Sequence, residues 1–123
     1  MSSAAVWEQI VGYCRAVKAG SHVFVTGTAP VDERGDGVFA PGDAEAQARR
    51  CLELIERALA NFGLDRTRIA RTRMFVTDIS RWRDFGRAHA AFFGEHRPAT
   101  SMVEVKALID PAMLIEIEAD AVE

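Results

Sequence analysis

The hydrophobic and polar positions follow a helical period in the segment after Asp43. Asp43 is a residue type that caps helices, and Gly63 can take the left-handed conformation that follows a last turn. Between them, charged residues occupy one face and the apolar residues of the other recur three and four positions apart: Ala48, Cys51, Leu52, Ile55, Ala58, Leu59 and Phe62. The pattern predicts an amphipathic helix between Asp43 and Gly63.

A second helical period follows Ser80, which we expect to cap it, and ends at Gly94. Its apolar stripe consists of Trp82, Phe85, His89, Phe92 and Phe93. Periodicity favours a core position for this stripe, with Trp82 at the helix start the member most able to reach a pocket. For His89 a buried, hydrogen-bonded role is favoured over metal binding or base catalysis.

Strand patterns fill the rest of the chain. Aromatic and β-branched runs at 13–19 and 22–26 flank Gly20-Ser21 and predict a hairpin, and further strands are predicted at 69–77, 100–107 and 114–121. The predicted order is β-β-α-β-α-β-β. The simplest fold is an α/β (α+β) two-layer sandwich with both helices on one face of a mixed sheet.

The opposite face of this sheet is also predicted to be apolar in part. Strand residues of both parities are hydrophobic in the pairs Val23-Phe24, Met74-Phe75 and Met102-Val103. Because helices cover only one face, we expect the other to be buried between subunits, which predicts an oligomer.

Composition narrows the class of protein. With 123 residues the chain is expected to form a single domain over 1–123. Its net charge of −3 gives no indication of a basic surface that would bind nucleic acid or an anionic membrane. Cys14 and Cys51 suggest neither a disulfide framework nor a zinc spacing. The amino terminus lacks a signal-peptide pattern and no apolar run is long enough to cross a membrane, so a cytoplasmic location is expected.

Charged residues on the predicted strands are the first candidates for chemistry. Glu116, Glu118 and Asp120 share one strand face, where their like charges would raise one another's pKa values if the three were desolvated together, although a solvated edge face explains them as well. Tyr13 and Arg15 share a parity, which would point both into one cleft or simply mark a charged outer strand. Arg71 and Arg73 are expected to meet solvent or an acid across the sheet. No metal site is predicted.

Motifs along nearly the whole chain resemble the RidA (YjgF) family. They are Tyr13 with Gly20 and Val23-Phe24-Val25-Thr26-Gly27, Ala46-Gln47-Ala48, Met74-Phe75-Val76-Thr77-Asp78, Phe92-Phe93, and Pro98-Ala99-Thr100-Ser101-Met102-Val103-Glu104-Val105 followed by Ile115-Glu116-Ile117-Glu118-Ala119. No single motif is specific, but their joint order and spacing are.

The resemblance implies a chorismate-mutase-like fold and a homotrimeric barrel with small-molecule clefts between subunits. It also implies hydrolysis of enamines or imines such as 2-aminoacrylate to a 2-oxo acid and ammonia, without a cofactor. This chemistry needs a cation for the substrate carboxylate and a carboxyl group that positions or activates water.

Several residues of this sequence match positions of the family's ligand site. Tyr13 matches a pocket tyrosine, Thr26 stands where serine is usual, and Gly27 matches the glycine whose backbone approaches the ligand. Glu116 matches the water-handling glutamate, and Trp82 replaces a pocket phenylalanine.

Thr100 is the main departure from the family, because active deaminases have an arginine there that binds the carboxylate bidentately. Losing that contact should cost roughly 2–5 kcal/mol, or ~30- to several-thousand-fold. Arg15 could enter the same cleft as a relocated anion-binding group.

Three functions are compatible with the sequence. The first is a RidA-like enzyme of a subgroup without the usual arginine. The second is a non-catalytic trimer that binds a metabolite as sensor, scavenger or chaperone-like partner. The third, a role in RNA cleavage or translation as claimed for some relatives, is disfavoured by the acidic balance.

Overall fold

A computed structural model describes residues 1–2 and 6–123. Within these residues the chain forms five strands, β1 (Ala16–Ala19), β2 (His22–Thr28), β3 (Ile69–Val76), β4 (Ala99–Glu104) and β5 (Ile115–Val122), and two α-helices, α1 (Ala44–Ala60) and α2 (Trp82–Phe93). The strands make one sheet in the order β1-β2-β5-β3-β4. The β3–β4 pair is parallel and the other pairs are antiparallel, which confirms the predicted mixed sheet and element order.

The core lies between one face of the sheet and the two helices. Alternate residues of β5 are fully buried, and they form one cluster with apolar side chains of both helices. The cluster includes Leu52 and Ile55 of α1, Phe85 of α2, and Ile115 and Ile117 of β5. The predicted two-layer arrangement is therefore confirmed, because the apolar residues that recur at strand spacing and those that recur at helical spacing pack into the same core.

The ends of the helices follow local capping chemistry. Asp43 caps α1 as predicted, its carboxylate accepting the N–H of Ala46 at 3.0 Å, and Gly63 takes φ +73° after the last turn. The prediction that Ser80 caps α2 is wrong. A 3-10 turn, Ile79–Arg81, precedes α2, and Asp78 accepts the N–H of Ser80 at 3.0 Å, because a carboxylate two residues earlier captures the free donor of the turn.

The first strand begins later than the sequence pattern predicts. A π-helical turn over Glu8–Gly12 ends at Gly12 with φ +89°, so Tyr13 precedes β1. The first residue of the chain pairs with this segment, since its carbonyl accepts the N–H of Arg15 at 2.7 Å and its amino group donates to the Ala16 carbonyl at 2.8 Å. Apolar and aromatic composition alone did not reveal the turn.

The sheet face away from the helices carries a charged centre with apolar margins. Arg73 bonds to Glu118 at 3.4 Å and to Asp120 at 3.1 Å, as predicted for an acid across the sheet. Phe24 and Val103 remain 45% and 47% exposed on the flanking strands. The predicted edge position of these acids is wrong, because β5 is the central strand, but Glu118 and Asp120 remain partly solvated, with side chains 35% and 31% exposed.

Gly86 offers a test of the helix environment. It lies inside α2, and a methyl group there would meet no heavy atom within 4 Å. Alanine is favoured over glycine in a helix by about 1 kcal/mol, so Gly86→Ala should raise the melting temperature by ~3–5 °C. Thermal unfolding followed by circular dichroism at fixed protein concentration measures this, and a lower melting temperature would show that another surface covers this point of α2.

No helix among the described residues has the length and apolar character needed to span a membrane.

Candidate active site

A cavity of about 370 Å³ brings together four residues that the sequence singled out, Tyr13, Arg15, Gly27 and Glu116. They come from the segment before β1, from β2 and from β5. Tyr13 and Arg15 both line this cavity, in agreement with the predicted common cleft, although both precede β1 and do not alternate along a strand. These residues form what we call the floor of the cavity.

Glu116 lies directly against the backbone of Gly27. The pairing of β2 with β5 shifts register between Val25 and Thr28, which places Gly27 in an irregular stretch of the strand. A methyl group on Gly27 would lie 2.7 Å from Glu116 Oε2 and 3.0 Å from its carboxyl carbon. Only glycine therefore leaves room for the carboxyl group in this position, which is a steric requirement because the φ angle of Gly27 is not positive.

The environment of Glu116 favours the protonated form. Burial raises the pKa of this carboxyl group, and the charge of Glu118 adds to the effect, while the Arg15 guanidinium opposes it. A carboxyl group with a raised pKa can exchange protons with water closer to neutral pH than an ordinary glutamate. This property suits a general base or acid.

Arg15 holds the irregular stretch of β2 in place. Its Nη2 donates to the carbonyl oxygens of Thr26 and Gly27 at 3.0 and 2.9 Å and to the Thr28 hydroxyl at 3.0 Å. Its Nε is buried and has no hydrogen-bond partner among the described residues. Burial lowers the pKa of Arg15, but a guanidinium remains charged. Arg15 thus braces the Gly27 backbone and adds positive charge beside Glu116.

Tyr13 supplies a neutral hydroxyl group to the floor. Burial raises the pKa of its phenol, with Arg15 acting in the opposite direction. The hydroxyl therefore keeps its proton at neutral pH and can donate a hydrogen bond to a ligand.

Thr26, Trp82 and Thr100, the other predicted ligand contacts, do not line this cavity of the same chain. Thr26 contributes its carbonyl to Arg15 instead. Trp82 is 49% exposed and stacks with Arg83, so the prediction that it belongs to the core stripe is wrong, whereas Phe85, Phe92 and Phe93 are buried. Trp82 is the first residue of α2, and it lies outside the core cluster that contains the other three aromatic residues.

Thr100 lies on the edge strand β4 in a chain of hydrogen bonds. Its hydroxyl accepts from Thr72 at 2.7 Å, and the Thr72 hydroxyl contacts His89 Nε2 at 2.8 Å. The direction of the hydrogen bond between His89 and Thr72 depends on the tautomer of the imidazole ring. The contact confirms the prediction of a hydrogen-bonded His89, and burial lowers the pKa of its ring.

Part of the cavity wall was not predicted from sequence. Leu54 and Arg57 of α1, with Trp7 and Ile109, also line it. Leu54 could have been recognised as a candidate from the sequence, because it is an apolar residue outside the predicted core face of this helix. Within residues 1–2 and 6–123 no group of three or more His, Cys, Asp or Glu side chains is placed to hold a metal ion.

Comparison with known proteins places this chain in a family. The sequence profile of the family described as endoribonuclease L-PSP matches residues 4–123. The chain is 38% identical over 105 residues to the 3-aminoacrylate deaminase RutC of Acinetobacter baylyi, covering 85% of this chain and 82% of that protein. It is also 38% identical over 113 residues to a 2-iminobutanoate/2-iminopropanoate deaminase of Salmonella typhimurium, covering 89% and 86%.

A solved structure agrees with the sequence relatives. The crystal structure of a Mycobacterium tuberculosis member of the YjgF/YER057c/UK114 family superposes with a TM-score of 0.89 at 48% identity, covering 100% of this chain and 97% of that one. The matched profile, the deaminase relatives and the shared fold together show that this chain belongs to the YjgF/RidA family.

Proposed function

We propose that the protein is a homotrimeric, cofactor-independent hydrolase that converts an enamine or imine to a carbonyl compound and ammonia in clefts between subunits. The observation that carries this proposal is the Glu116 carboxyl group, which lies against Gly27 with a raised pKa beside Arg15 and Tyr13. The deaminase names of two relatives support the reaction type.

The floor residues provide the groups that imine hydrolysis requires. An enamine is first protonated at carbon to give the protonated imine, and a neutral imine is protonated at nitrogen. The Glu116 carboxylate takes a proton from water as the water oxygen bonds to the carbon of the protonated imine, which gives a neutral carbinolamine. The same carboxyl group then returns that proton to the amino nitrogen, the carbon–nitrogen bond breaks to release ammonia, and the hydroxyl proton passes to the Glu116 carboxylate as the carbonyl forms. The Tyr13 hydroxyl donates a hydrogen bond that orients the substrate.

Thr100 argues against efficient hydrolysis of simple 2-imino acids. A neutral hydroxyl stands where active family members have a carboxylate-binding arginine, and it already accepts a hydrogen bond from Thr72. Arg15 could replace that cation, but its Nη2 is committed to three protein acceptors, and only its remaining nitrogens could serve a ligand. The preferred substrate should therefore differ from 2-aminoacrylate.

The trimer is supported by two features of the single chain. Trp82 and Thr100 lie away from the cavity of their own subunit, so they can reach a cleft only in a neighbouring copy. The sheet face away from the helices also leaves Phe24 and Val103 half exposed. A second copy packed on this face would bury them.

Ammonia release from enzymatically generated 2-aminoacrylate tests the proposal, with native protein and Thr100→Arg compared at equal concentration. We expect a slow native reaction above the buffer rate and an increase of ~30-fold or more in Thr100→Arg, because the bidentate contact is restored. Ala91→Arg, which adds the same charge on the exposed surface of α2, is the control and should leave the rate unchanged.

Background rates in both native protein and Thr100→Arg would contradict the hydrolase and favour the second function, a non-catalytic trimer that binds a metabolite. The observation that favours this alternative is the neutral Thr100 hydroxyl itself. Its signature is a ligand-dependent rise in melting temperature without turnover.

A further inference from the structure

One wall of the cavity comes from a single face of α1 that the proposed reaction does not use. Leu54, Arg57 and Ala58 are three and four positions apart, so they lie side by side on the helix, and all three line the same cavity as Glu116. The cavity therefore has a catalytic floor on the sheet and, on the helix, a wall that carries an arginine.

The Arg57 guanidinium has donors available for a ligand. Its side chain is 58% exposed, and the ion pair it makes among the described residues is a loose one, with Nη2 4.0 Å from Glu33 Oε1. The same Glu33 oxygen accepts a closer bond, 3.1 Å, from Arg50, whose side chain is only 4% exposed and also donates to the Val31 carbonyl. Arg50 is thus a structural cation, whereas Arg57 can bind an anion.

The surface between the floor and Arg57 is partly apolar. Leu54 lies on the wall, and Val11 and Ile109 line the cavity although they are 69% and 62% exposed. Within one subunit the cavity has a volume of about 370 Å³, whereas a three-carbon imino acid has the bulk of about four waters, or ~120 Å³. A larger ligand with an apolar segment would fill the space.

We propose that the cavity takes substrates whose reacting carbon–nitrogen group is separated by a short apolar chain from a carboxylate, and that Arg57 binds this remote carboxylate. The identity of the reacting group rests on the proposed hydrolase function, whereas the recognition of the carboxylate is inferred from the residues of the cavity wall. Position 100 carries no positive charge, which agrees with this inference, because a substrate whose carboxylate is remote from the reacting carbon does not need a cation at Thr100.

Calorimetric titration with product analogues tests the proposal on the intact protein. The probes are 5-oxohexanoate, pyruvate and uncharged 2-hexanone. Native protein should bind 5-oxohexanoate about tenfold or more tightly than either of the others, because only this probe has both the apolar chain and the remote charge. Arg57→Gln should weaken 5-oxohexanoate binding by ~3- to 10-fold, a range that reflects the exposure of the side chain.

Arg49→Gln is the matched control, since Arg49 is an exposed arginine of α1 that does not line this cavity. It should leave the binding of 5-oxohexanoate unchanged. Equal weakening in both variants would overturn the proposal by showing a general charge effect. Pyruvate binding as tight as that of 5-oxohexanoate, no binding of any probe, or a change of oligomeric mass in Arg57→Gln would also overturn it.

The same experiments separate this inference from the proposed function. If ammonia release depends on Glu116 but Arg57→Gln binds 5-oxohexanoate as tightly as native protein does, the inference about Arg57 is wrong and the proposed hydrolase function is unaffected. Binding that depends on Arg57 without any Glu116-dependent turnover would support the recognition of the anion and contradict the hydrolase.

Discussion

Glu116→Gln is expected to lower the turnover of the best available imine by about 10²–10⁴-fold, because glutamine keeps the shape of the side chain but cannot accept a proton from water. The amide can still occupy the space against Gly27, so KM should change much less than kcat. Steady-state ammonia release at several substrate concentrations measures both quantities.

Glu118→Gln is the matched control for this variant. Glu118 lies on the same side of β5 two residues further on, and it bonds to Arg73 at 3.4 Å. Its loss should change turnover by no more than a few-fold. Equal losses in the two variants would mean that the charge of the strand, and not a proton acceptor at Glu116, supports the reaction.

The raised pKa of Glu116 also predicts the pH dependence of activity and stability. Activity should rise with pH through the pKa of this group, above the range of an ordinary glutamate. A carboxyl pKa that is higher in the folded than in the unfolded chain contributes stability at low pH, and this contribution is lost as pH rises through the folded value. The melting temperature of Glu116→Gln relative to native protein should therefore increase between acid and neutral pH.

Gly27→Ala is expected to lower turnover by about 100-fold, because the added methyl group would lie 2.7 Å from Glu116 Oε2 and must displace the carboxyl group. A displacement of about 1 Å in a catalytic group can cost this much. Stability should change little, since Glu116 is half-buried and its side chain can rotate toward solvent. Turnover and thermal unfolding of the same preparation measure the two effects.

Gly86→Ala provides the comparison for Gly27→Ala. It makes the same substitution at a glycine whose added methyl group meets nothing within 4 Å, and it should retain native turnover. If Gly27→Ala kept full activity, either the carboxyl group would have room to move without consequence or Glu116 would not be the proton acceptor.

The element order and the core could be read from the sequence because they depend on local periodicity. Leu52, Ile55 and Phe85 point inward at helical spacing, and Ile115 and Ile117 do so at strand spacing. The predicted strand bounds differ from the structure where contacts between residues distant in sequence determine the conformation. The amino-terminal residue pairs with Arg15 and Ala16, for example, and a turn absorbs the residues before them.

Some residues of the candidate site could also be predicted, as could the placement of Tyr13 and Arg15 in one cleft, but the full set of residues that line the cavity could not. Tyr13, Gly27 and Glu116 are identified by family motifs, and the structure lines one cavity with them. The same motifs assigned Trp82 and Thr100 to the site, yet these residues lie elsewhere in the subunit. Motifs report which residues a family uses, whereas the strand order determines which of them one chain can bring together.

By itself, the sequence determined the alternation of strands and helices, most of the buried apolar residues and the family, because each is encoded in short-range pattern or in the order of motifs. Only the tertiary structure decided that β5 is central, that Arg15 braces the backbone of Gly27, and that Arg57 shares a cavity with Glu116. These features depend on contacts between residues distant in sequence, and such contacts are established only when the sheet and helices pack together.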